Sequence, residues 1–472
     1  MKKIIFILSL VIISTSYLSA QKTWTLQACI DYALTNNISI KQLELTEQIS
    51  KANLTQSKLS LVPSLNAGAT HSYNYGKTID TYTNDYTTST FQSDNFYLSS
   101  SITLFNGFQL LNTVRQNKVD LEASKYDLDK MKNDISLSIA TAYLQILYCK
   151  ELLAIAQNQV TVTEKQVSRT QKLVDAGTVS KGTLLTLQAQ QSTEELSVVT
   201  AQNNLDIAYL TLTQMLELPS VKDFEIEIPV FEIPKESTKI LTPDVIFAYA
   251  SGVQPEIKSA ELKMKSSEIG LAIANGLRYP TLSLRGSYGT SYSGAGKKLK
   301  DIYISDYTPS GFTSGGDTVF SPQYETVYEN TSFSDQINDN LNKSISFSLT
   351  LPIFNGWQAN STIKKAKIAI QSAEYTLQTT KNTLYKDIQQ AYADALAALN
   401  KYNSSSKSVD AYKESFKYAE QKFDVGMLNS TEYDDAKNKL AEAESNMLQS
   451  KYEYVFRLKV LDFYMGKPIV LN

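Results

Sequence analysis

The sequence contains very little histidine, cysteine, glycine and proline. One His and two Cys among 472 residues leave almost no ligands for a zinc, haem or iron–sulfur site. A serine or cysteine hydrolase would need His71 as its base, which argues against both classes. Cys29 and Cys149 could pair in an oxidising compartment, but both lie in helix-like patterns and are predicted to be buried thiols. We therefore expect neither an enzyme nor a bound cofactor.

An excess of charge of one sign is also lacking. The 45 Lys and Arg residues oppose 48 Asp and Glu residues, which gives a formal net charge of −3. Nucleic-acid-binding domains usually carry a basic excess, so no nucleic-acid partner is expected. Gly and Pro number only 18 and 11, which favours long helices because both residues interrupt them. Tyr, by contrast, occurs 29 times, and such abundance is often a sign of a membrane interface.

The first twenty residues have the pattern of a secretory signal peptide. Two lysines precede the apolar residues 4–13, and a small residue, Ala20, ends the segment. The mature chain is expected to begin at Gln21, and a buried N-terminal strand or helix is the alternative interpretation. No later apolar run approaches the roughly 18 residues that a membrane helix needs. We therefore expect an exported chain without a spanning helix.

The strongest feature of the sequence is an internal duplication. Residues 104–109 recur as residues 353–358, and the same offset of 249 then holds without a gap to Pro468. Upstream the offset is 217, and it pairs Pro63 with Pro280. The two offsets differ by 32 residues, which predicts an insertion of that length between Pro280 and Phe354. The predicted domains are a signal peptide (1–20), a first repeat (21–219), a linker (220–240), a second repeat (241–468) and a tail (469–472).

Each repeat predicts the same order of elements. A helix-like segment, 26–61 or 242–278, precedes two alternating stretches with a polar loop between them. The stretch at 344–351 shows the pattern most clearly, and its alternating apolar residues are Ile345, Phe347, Leu349 and Leu351. A period of two predicts a strand with one apolar and one polar face, here with Ser346 and Ser348 on the polar side. Alternation also fits a soluble antiparallel sheet, and four strands are too few to close a membrane barrel within one chain.

Two long helical hairpins follow the predicted strands. No Pro or Gly occurs in residues 108–175 or 357–424, and at 1.5 Å per residue each helix would be about 100 Å long. Each ends at a turn centred on Gly177 or Gly426, because glycine readily adopts the left-handed conformation that closes a helix. Such helices are expected to bury their apolar stripes by coiled-coil packing. The segments of about 20 residues from Lys77 and about 50 residues from Ser293 are predicted to be external loops.

These residues together resemble the TolC family of outer-membrane efflux proteins. The resemblance covers residues 22–468 and rests on the segment 24–34, on the glycine turns and on the two strand-to-helix junctions. The junction residues are Phe105, Asn106, Gly107, Phe354, Asn355 and Gly356. The resemblance implies a mainly α protomer with β structure, whose helical hairpins form a trimeric α-barrel across the periplasm. Four strands from each of three copies would close a twelve-stranded barrel in the lipid of the outer membrane. The implied partners are a periplasmic adaptor and an inner-membrane transporter, as in tripartite efflux or type I secretion.

The resemblance also implies a constriction at the periplasmic tip. The matching positions are Glu432 and Asp435, which are three residues apart and hence on one helical face. Threefold symmetry would gather six carboxylates there, whereas the first repeat carries only threonines at the equivalent positions 183 and 186. An ordinary solvated helix face is the alternative interpretation. Family members often carry Arg or Thr where this chain has Leu428 and Asn429.

The turns themselves are the implied docking points for the adaptor. The residues concerned are Asp175, Gly177, Asp424 and Gly426. Paired carboxylates also occur in glycosidases, but the end of a helical hairpin offers no cleft for a sugar. His71 is expected at the surface near the extracellular rim. The alternative function is an exported fibrous or adhesin-like protein built on the same helical hairpins, although a filament has little use for amphipathic strands.

Overall fold

The computed structural model describes residues 23–79, 86–87, 90–222, 224–229 and 240–469. The predicted signal peptide and most of the predicted linker and tail lie outside these residues. The chain forms two compact units. Of the described residues, unit 1 comprises 23–51, 119–222, 224–229, 240–265 and 370–469, and unit 2 comprises 52–79, 86–87, 90–118 and 266–369.

The described residues are mainly helical, and eight of the nine described helices occur in pairs of equal length. Two have 67 residues, two have 35, two have 22 and two have 11. In chain order they are α1 Leu26–Asn36, α2 Ile38–Leu59, α3 Gln109–Asp175, α4 Lys181–Met215, α5 Pro243–Val253, α6 Pro255–Gly276, α7 Phe333–Asp339, α8 Gln358–Asp424 and α9 Ser430–Tyr464. The two uninterrupted 67-residue helices agree with the absence of Pro and Gly from their sequences.

The first helical segment of each half is broken, which the sequence did not indicate for 26–61 or 242–278. Asn37 is extended, and its side-chain oxygen accepts hydrogen bonds from the backbone N–H groups of Ser39 and Ile40. This arrangement ends α1 and caps α2. In the second half Gln254 is extended before Pro255, since a residue that precedes proline avoids the helical conformation.

Unit 1 is a packed helical body with two hydrophobic clusters. The larger cluster joins α1, α3, α4 and the end of α9, and it includes the fully buried Ile139, Ile146 and Leu212. The smaller cluster joins α5, α6, α8 and α9. Cys29 and Cys149 are both buried free thiols in the larger cluster, as predicted. Burial raises the pKa of the Cys29 thiol to about 12, so this group stays protonated and inert.

Helix α3 contains an 18-residue window that is long and apolar enough to cross a membrane. The expectation that no such run exists beyond residue 20 is therefore wrong. Almost half of the window, 44%, is buried inside the protein, and α3 supplies more of the large core cluster than any other helix. A core helix meets the same length and composition criteria as a spanning helix, so the window is explained by packing.

Unit 2 contains a four-stranded antiparallel sheet. The described strands are β1 Ser64–Asn74, β2 Thr78–Ile79, β3 Tyr86–Thr87, β4 Phe91–Asn106, β5 Thr281–Ser293, β6 Lys297–Phe312, β7 Thr318–Asn330 and β8 Asn342–Thr350. The order in the sheet is β1-β4-β5-β8, and every neighbouring pair is antiparallel. Each of the four stretches that the alternation marked as strands is therefore a strand, although β8 ends one residue before Leu351.

The register aligns the apolar residues into rows across the sheet. One row is Ala67, Leu98 and Tyr288 on successive strands and ends at Lys343 on β8, whose ammonium lies over the Tyr288 ring; another pairs Leu284 with Phe347. The opposite face carries rows of serines, and the Ser287 and Ser344 hydroxyl oxygens are 2.7 Å apart. The sheet therefore has one apolar and one polar face, because successive side chains on a strand point to opposite sides.

The segment between β5 and β8 is not a loop, contrary to the prediction. It forms the long hairpin β6–β7 and the short helix α7. Three register shifts, at Lys300, Ser305 and Ser310, interrupt the alternation of β6. A β-bulge moves every later side chain to the other face, so the period of two is lost from the sequence although the strand continues.

Candidate functional site

The turns that end α3 and α8 have the same local geometry. Gly177 and Gly426 have φ angles of +78° and +77°, and their N–H groups donate to the carbonyls of Val174 and Phe423. This left-handed glycine closes each helix, as the sequence predicts. A Cβ added at either glycine would meet nothing within 4 Å. Backbone strain, and not a clash, therefore opposes even an alanine there.

The two aspartates beside the turns have different partners. Asp175 accepts a hydrogen bond from Gln171 of its own helix, at 2.8 Å. Asp424 accepts instead from Arg169 on α3, which also donates to the backbone carbonyl of Asp424 at 2.9 Å. The guanidinium lies over the ring of Phe423, an arrangement that adds a cation–π attraction. Arg169 thus joins the end of α8 to α3, and the sequence alone did not reveal this link.

Glu432, one of the two predicted constriction residues, begins α9 as part of a capping box. Its backbone N–H donates to the side chain of Asn429 at 2.9 Å, and its carboxylate accepts from the Asn429 N–H at 3.3 Å. This reciprocal pair satisfies two N–H groups at the start of the helix. Asn429 is therefore the N-cap of α9, although family members often carry Arg or Thr at this position or the one before it.

Asp435, the other predicted constriction residue, forms an exposed ion pair with Lys439. The Lys439 Nζ lies 2.7 Å from Oδ2 of Asp435 one helical turn away. An exposed pair at this spacing contributes little to stability, because water screens its charges. Both predicted carboxylates are exposed in the protomer, and each has a local partner that the sequence analysis did not include.

The corresponding positions in the first hairpin carry no charge. The backbone N–H of Thr183 donates to the hydroxyl of Ser180, which caps α4. Thr186 donates to the carbonyl of Gly182 at 3.1 Å. The acidic side chains therefore belong to α9 alone, as the sequence indicates.

A buried polar cluster lies within the same helices, and sequence reasoning missed it. The Nζ of Lys437 is 2.8 Å from Oε1 of Glu194, and it also donates to Thr163 and to the carbonyl of Gln159 at 3.0 Å. Glu194 accepts further hydrogen bonds from Thr163, at 2.7 Å, and from Gln190, at 3.0 Å. One feature of the sequence could have indicated this cluster. Lys437 lies four residues after the buried Tyr433, and hence on the buried stripe of α9.

Asp434 lies beside this cluster and is partly buried. Its pKa is raised from 3.8 to about 6, chiefly by burial; the charge of Lys437 opposes this rise and that of Glu194 adds to it. Its Oδ1 is buried and has no hydrogen-bond partner among the described residues. A carboxylate without a partner is costly to keep charged away from water. The group therefore changes protonation in the mildly acidic range.

The strand-to-helix junctions repeat one backbone geometry. Gly107 and Phe108 have φ angles of +65° and +62°, and Gly356 and Trp357 have +61° and +67°. Two successive left-handed residues turn the chain from strand to helix at each junction, and the non-glycine residue bears strain. A Cβ on Gly107 would lie 2.5 Å from the carbonyl oxygen of Gly276, whereas one on Gly356 would meet nothing within 4 Å.

The remaining junction residues also differ between the two halves. The Phe105 ring packs edge-to-face on the Phe108 ring, with centroids 5.3 Å apart. The side chain of Asn106 accepts from the Leu110 N–H at 3.4 Å. Phe354 and Asn355 are exposed in the protomer. Among the described residues, no cluster of three or more His, Cys, Asp or Glu could hold a metal.

His71 lies at the end of β1 that is remote from the helices of unit 2. Its Nδ1 is hydrogen-bonded to Asp94 on β4, and the ring packs edge-to-face on Tyr73. About half of the histidine side chain is exposed. The residue is therefore at the surface, as predicted.

The sheet, the paired long helices and the glycine turns define an outer-membrane channel protein. Residues 29–217 and 250–467 match the outer membrane efflux protein family, and the chain belongs to this family. The proteins of this family are channels and not enzymes, and their location is the outer membrane.

Individual relatives support the assignment. The chain is 23% identical to outer membrane protein TolC of Escherichia coli (strain K12) over 403 residues, which cover 85% of this chain and 74% of the relative. It is 23% identical to outer membrane protein OprJ of Pseudomonas aeruginosa over 427 residues, or 87% of this chain and 77% of the relative. The resemblance to the TolC family that the sequence motifs indicate is confirmed.

Solved structures show the same fold. The CmeC outer membrane channel of Campylobacter jejuni superposes with a TM-score of 0.75 and 19% identity, covering 93% of this chain and 85% of that one. The outer membrane protein VceC of Vibrio cholerae gives a TM-score of 0.74 and 14% identity, covering 94% and 96%. The predicted combination of long helices with a small antiparallel sheet is therefore confirmed at the level of the protomer.

Proposed function

We propose that the protein is a homotrimeric exit channel that passes substrates from an inner-membrane transporter and a periplasmic adaptor to the exterior. The single observation that carries this proposal is the four-stranded sheet with an apolar face and a serine-rich face. In the proposed trimer the apolar face contacts lipid and the polar face lines the lumen. The long helices line a tunnel through the periplasm.

The edges of the sheet support closure by copies of the chain. Among the described strands, β1 and β8 each pair on one side only. Unpaired edges leave backbone N–H and C=O groups without partners, which is not tolerated in lipid. The four strands alternate in direction, so β8 of one copy meets β1 of the next in an antiparallel arrangement. Three copies then supply the twelve strands of a closed barrel, which is above the minimum of eight for membrane barrels.

The relatives support the proposed partners. Proteins named as outer membrane efflux proteins work in tripartite systems with an adaptor and an inner-membrane transporter. In this proposal the turns at Gly177 and Gly426 contact the adaptor, together with Asp175 and Asp424. Glu432 and Asp435 form the constriction of the resting pore. Lys439 lies beside Asp435, so each copy adds one cation close to the proposed ring of carboxylates.

Trimer formation and conductance test the proposal together. The membrane fraction should contain a species that migrates as a trimer in gels without heating and as a monomer after boiling. The purified trimer should form ion-conducting pores in planar bilayers. Recovery of the protein only as soluble or surface-shed filaments would overturn the proposal and favour the fibrous alternative.

A further inference from the structure

The hairpin β6–β7 fills the predicted insertion and is amphipathic. Its strands have 16 and 13 residues, so the longer one extends for about 50 Å at 3.3 Å per residue. The register places Leu299 opposite Tyr328, Ile304 opposite Tyr324 and Pro309 opposite Phe320 on one face. The other face pairs Tyr303 with Glu325 and Lys298 with Glu329. The apolar residues of β6 do not alternate regularly in the sequence. Because each bulge described above adds one residue, these apolar residues nevertheless lie on a single face of the hairpin.

Charge is segregated between the two faces. Glu329 forms ion pairs with Lys298 at 3.8 Å and with the bulge residue Lys300 at 3.7 Å. Tyr303 donates a hydrogen bond to Glu325 at 3.1 Å. The apolar face carries one charged residue, Lys297, at the base of the hairpin. Its large side chains are 44–76% exposed in the protomer. A long apolar strand surface left open to water favours aggregation, so this face requires a cover.

The hairpin leaves the sheet at the end that is remote from the helices of unit 2. Helices enter and leave the sheet at one end: Asn106, Thr281 and Thr350 are paired across the strands, and Ser64 pairs with Ser101, five residues from Asn106. The hairpin begins after Ser293, at the other end of β5. If the sheet spans the membrane as proposed, this end is the external rim.

Helix α7 and its C-cap lie against the edge of β5, where Gln336 and Asn340 bond to the backbone of Ser293 and Ser291, and the helix also contacts side chains of one face of the sheet. The hydroxyl of Thr290 donates to the carbonyl of Ile337 at 2.6 Å, and the ring of Tyr292 packs against Phe333. Thr290 and Tyr292 belong to the apolar face, since they follow Leu284 and Tyr288 at even spacing along β5. The base of the hairpin is tied to the same helix, because Lys298 forms an ion pair with Asp335 at 3.3 Å.

We propose that the apolar face of this hairpin lies on the lipid surface of the outer leaflet. This inference rests on the proposed function, in which the apolar face of the sheet contacts lipid. Because α7 contacts side chains of that face, the hairpin base lies outside the barrel and away from the threefold axis where copies of the hairpin would meet. Tyr, Phe and Ile side chains on one face, with charge on the other, suit the interface between lipid headgroups and acyl chains. The position of Lys297 at the edge of the apolar face suits contact with lipid phosphate.

Site-directed fluorescence in vesicles tests the inference on the full-length trimer. Ile304→Cys reports the apolar face, Gln323→Cys reports the polar face, and Phe347→Cys reports the sheet. The native thiols are buried, so an environment-sensitive nitrobenzoxadiazole label attaches to the introduced cysteine. Each trimer is reconstituted into phosphatidylcholine and phosphatidylglycerol vesicles without nitroxide lipid, with a lipid that carries a nitroxide near its headgroup, or with one that carries it near the end of an acyl chain. The headgroup nitroxide should quench the label at 304 strongly, the acyl-chain nitroxide should quench the label at 347 strongly, and the label at 323 should change little with either lipid.

The outcomes separate the two proposals. Quenching at 347 without quenching at 304 would overturn the hairpin inference and leave the proposed channel intact. Quenching at neither position would show that the sheet does not contact lipid, which would overturn the proposed function. Disulfide-linked dimers of unlabelled Ile304→Cys in denaturing gels without reductant would mean that the apolar face meets another copy of the chain, and the inference would be wrong.

Discussion

Lys437 on α9 and Glu194 on α4 form an ion pair inside the helical unit, and their side chains are only 5% and 6% exposed. The pair is supported by Thr163, which bonds to both partners. Removal of water from two charges is expensive and is offset only when the geometry and the surrounding hydrogen bonds are good. The contact links three helices close to the proposed periplasmic tip.

Replacement of this lysine should destabilise the helical unit strongly. Lys437→Met leaves the carboxylate of Glu194 buried without its cation, and the expected loss is about 3–5 kcal/mol. The exposed Lys439→Met, one half-turn away, should leave the stability nearly unchanged, because an exposed ion pair contributes little. Thermal and urea unfolding followed by circular dichroism of the detergent-solubilised trimer measures both. Equal stability of the two variants would mean that the buried pair is not formed in solution.

The stability of the helical unit should fall as the pH rises from about 4 to about 6. The pKa of Asp434 is raised by burial from 3.8 to about 6, so the folded state binds more protons than the unfolded state in this window. The stabilisation that protonation provides is complete below the unfolded pKa and is lost as the pH rises through the folded one. Because the group is partly exposed, the effect should be about 1–2 kcal/mol.

Asp434→Asn removes this dependence and gives a direct test. The variant should unfold at a higher temperature than the unchanged protein at pH 7.5 and at a similar temperature at pH 4. Asp435→Asn changes the next residue, which is exposed, and should show no such pattern. A parallel shift of both variants at every pH would rule out the proposed proton linkage.

Glu432 and Asp435 should determine the cation selectivity of the resting pore. Like charges brought close by threefold symmetry repel, so divalent or trivalent cations should bind there and block the current. Glu432→Gln with Asp435→Asn should weaken selectivity and abolish the block in planar-bilayer recordings. Lys439→Gln should strengthen both, because it removes a cation beside each carboxylate. If neither change alters the recordings, these side chains face outward as an ordinary solvated surface.

Substitution of the turn glycines should impair transport without preventing assembly. Gly426→Val forces a branched side chain into a left-handed conformation, at a cost of about 1–2 kcal/mol, although its Cβ would meet no neighbour within 4 Å. The trimer yield should stay normal, and efflux of a fluorescent substrate from cells should fall. Gly182→Ala near the start of α4 has no positive φ and should be neutral. Normal efflux by Gly426→Val would place the adaptor contact elsewhere.

Neighbouring residues of β8 should differ in their tolerance of a charge, because one faces lipid and the next faces the lumen in the proposed channel. Phe347→Arg places a charge on the apolar face, at a cost of roughly 2–4 kcal/mol near the middle of the membrane. Ser348→Arg places the same charge on the polar face. The first variant should fail to assemble, and the second should appear as a normal trimer in unheated gels. Equal assembly of both would contradict the assigned faces.

The sequence was most informative where one regular period continues over many residues. The lengths of α3 and α8 follow from the absence of Pro and Gly, and the strands follow from their alternation. The hairpin β6–β7 was hidden because its bulges shift that alternation. The bond from Arg169 to Asp424 and the pair of Lys437 with Glu194 join residues more than 200 positions apart. No local sequence pattern predicts contacts between residues so far apart. For the pair of Lys437 with Glu194, the one indication in the sequence was a lysine at a position on an apolar stripe.

The equal helix lengths restrict where this chain can be altered by engineering. One residue added inside α3 would rotate every later side chain by about 100° and turn its apolar stripe away from the core. The hairpin inserts more than thirty residues between β5 and β8, yet Gly289 still pairs with Asn342. The turn at its tip, residues 313–317, is exposed and closed by its own hydrogen bonds. An affinity tag or a display peptide therefore belongs at that tip, where added length needs no matching change elsewhere in the fold.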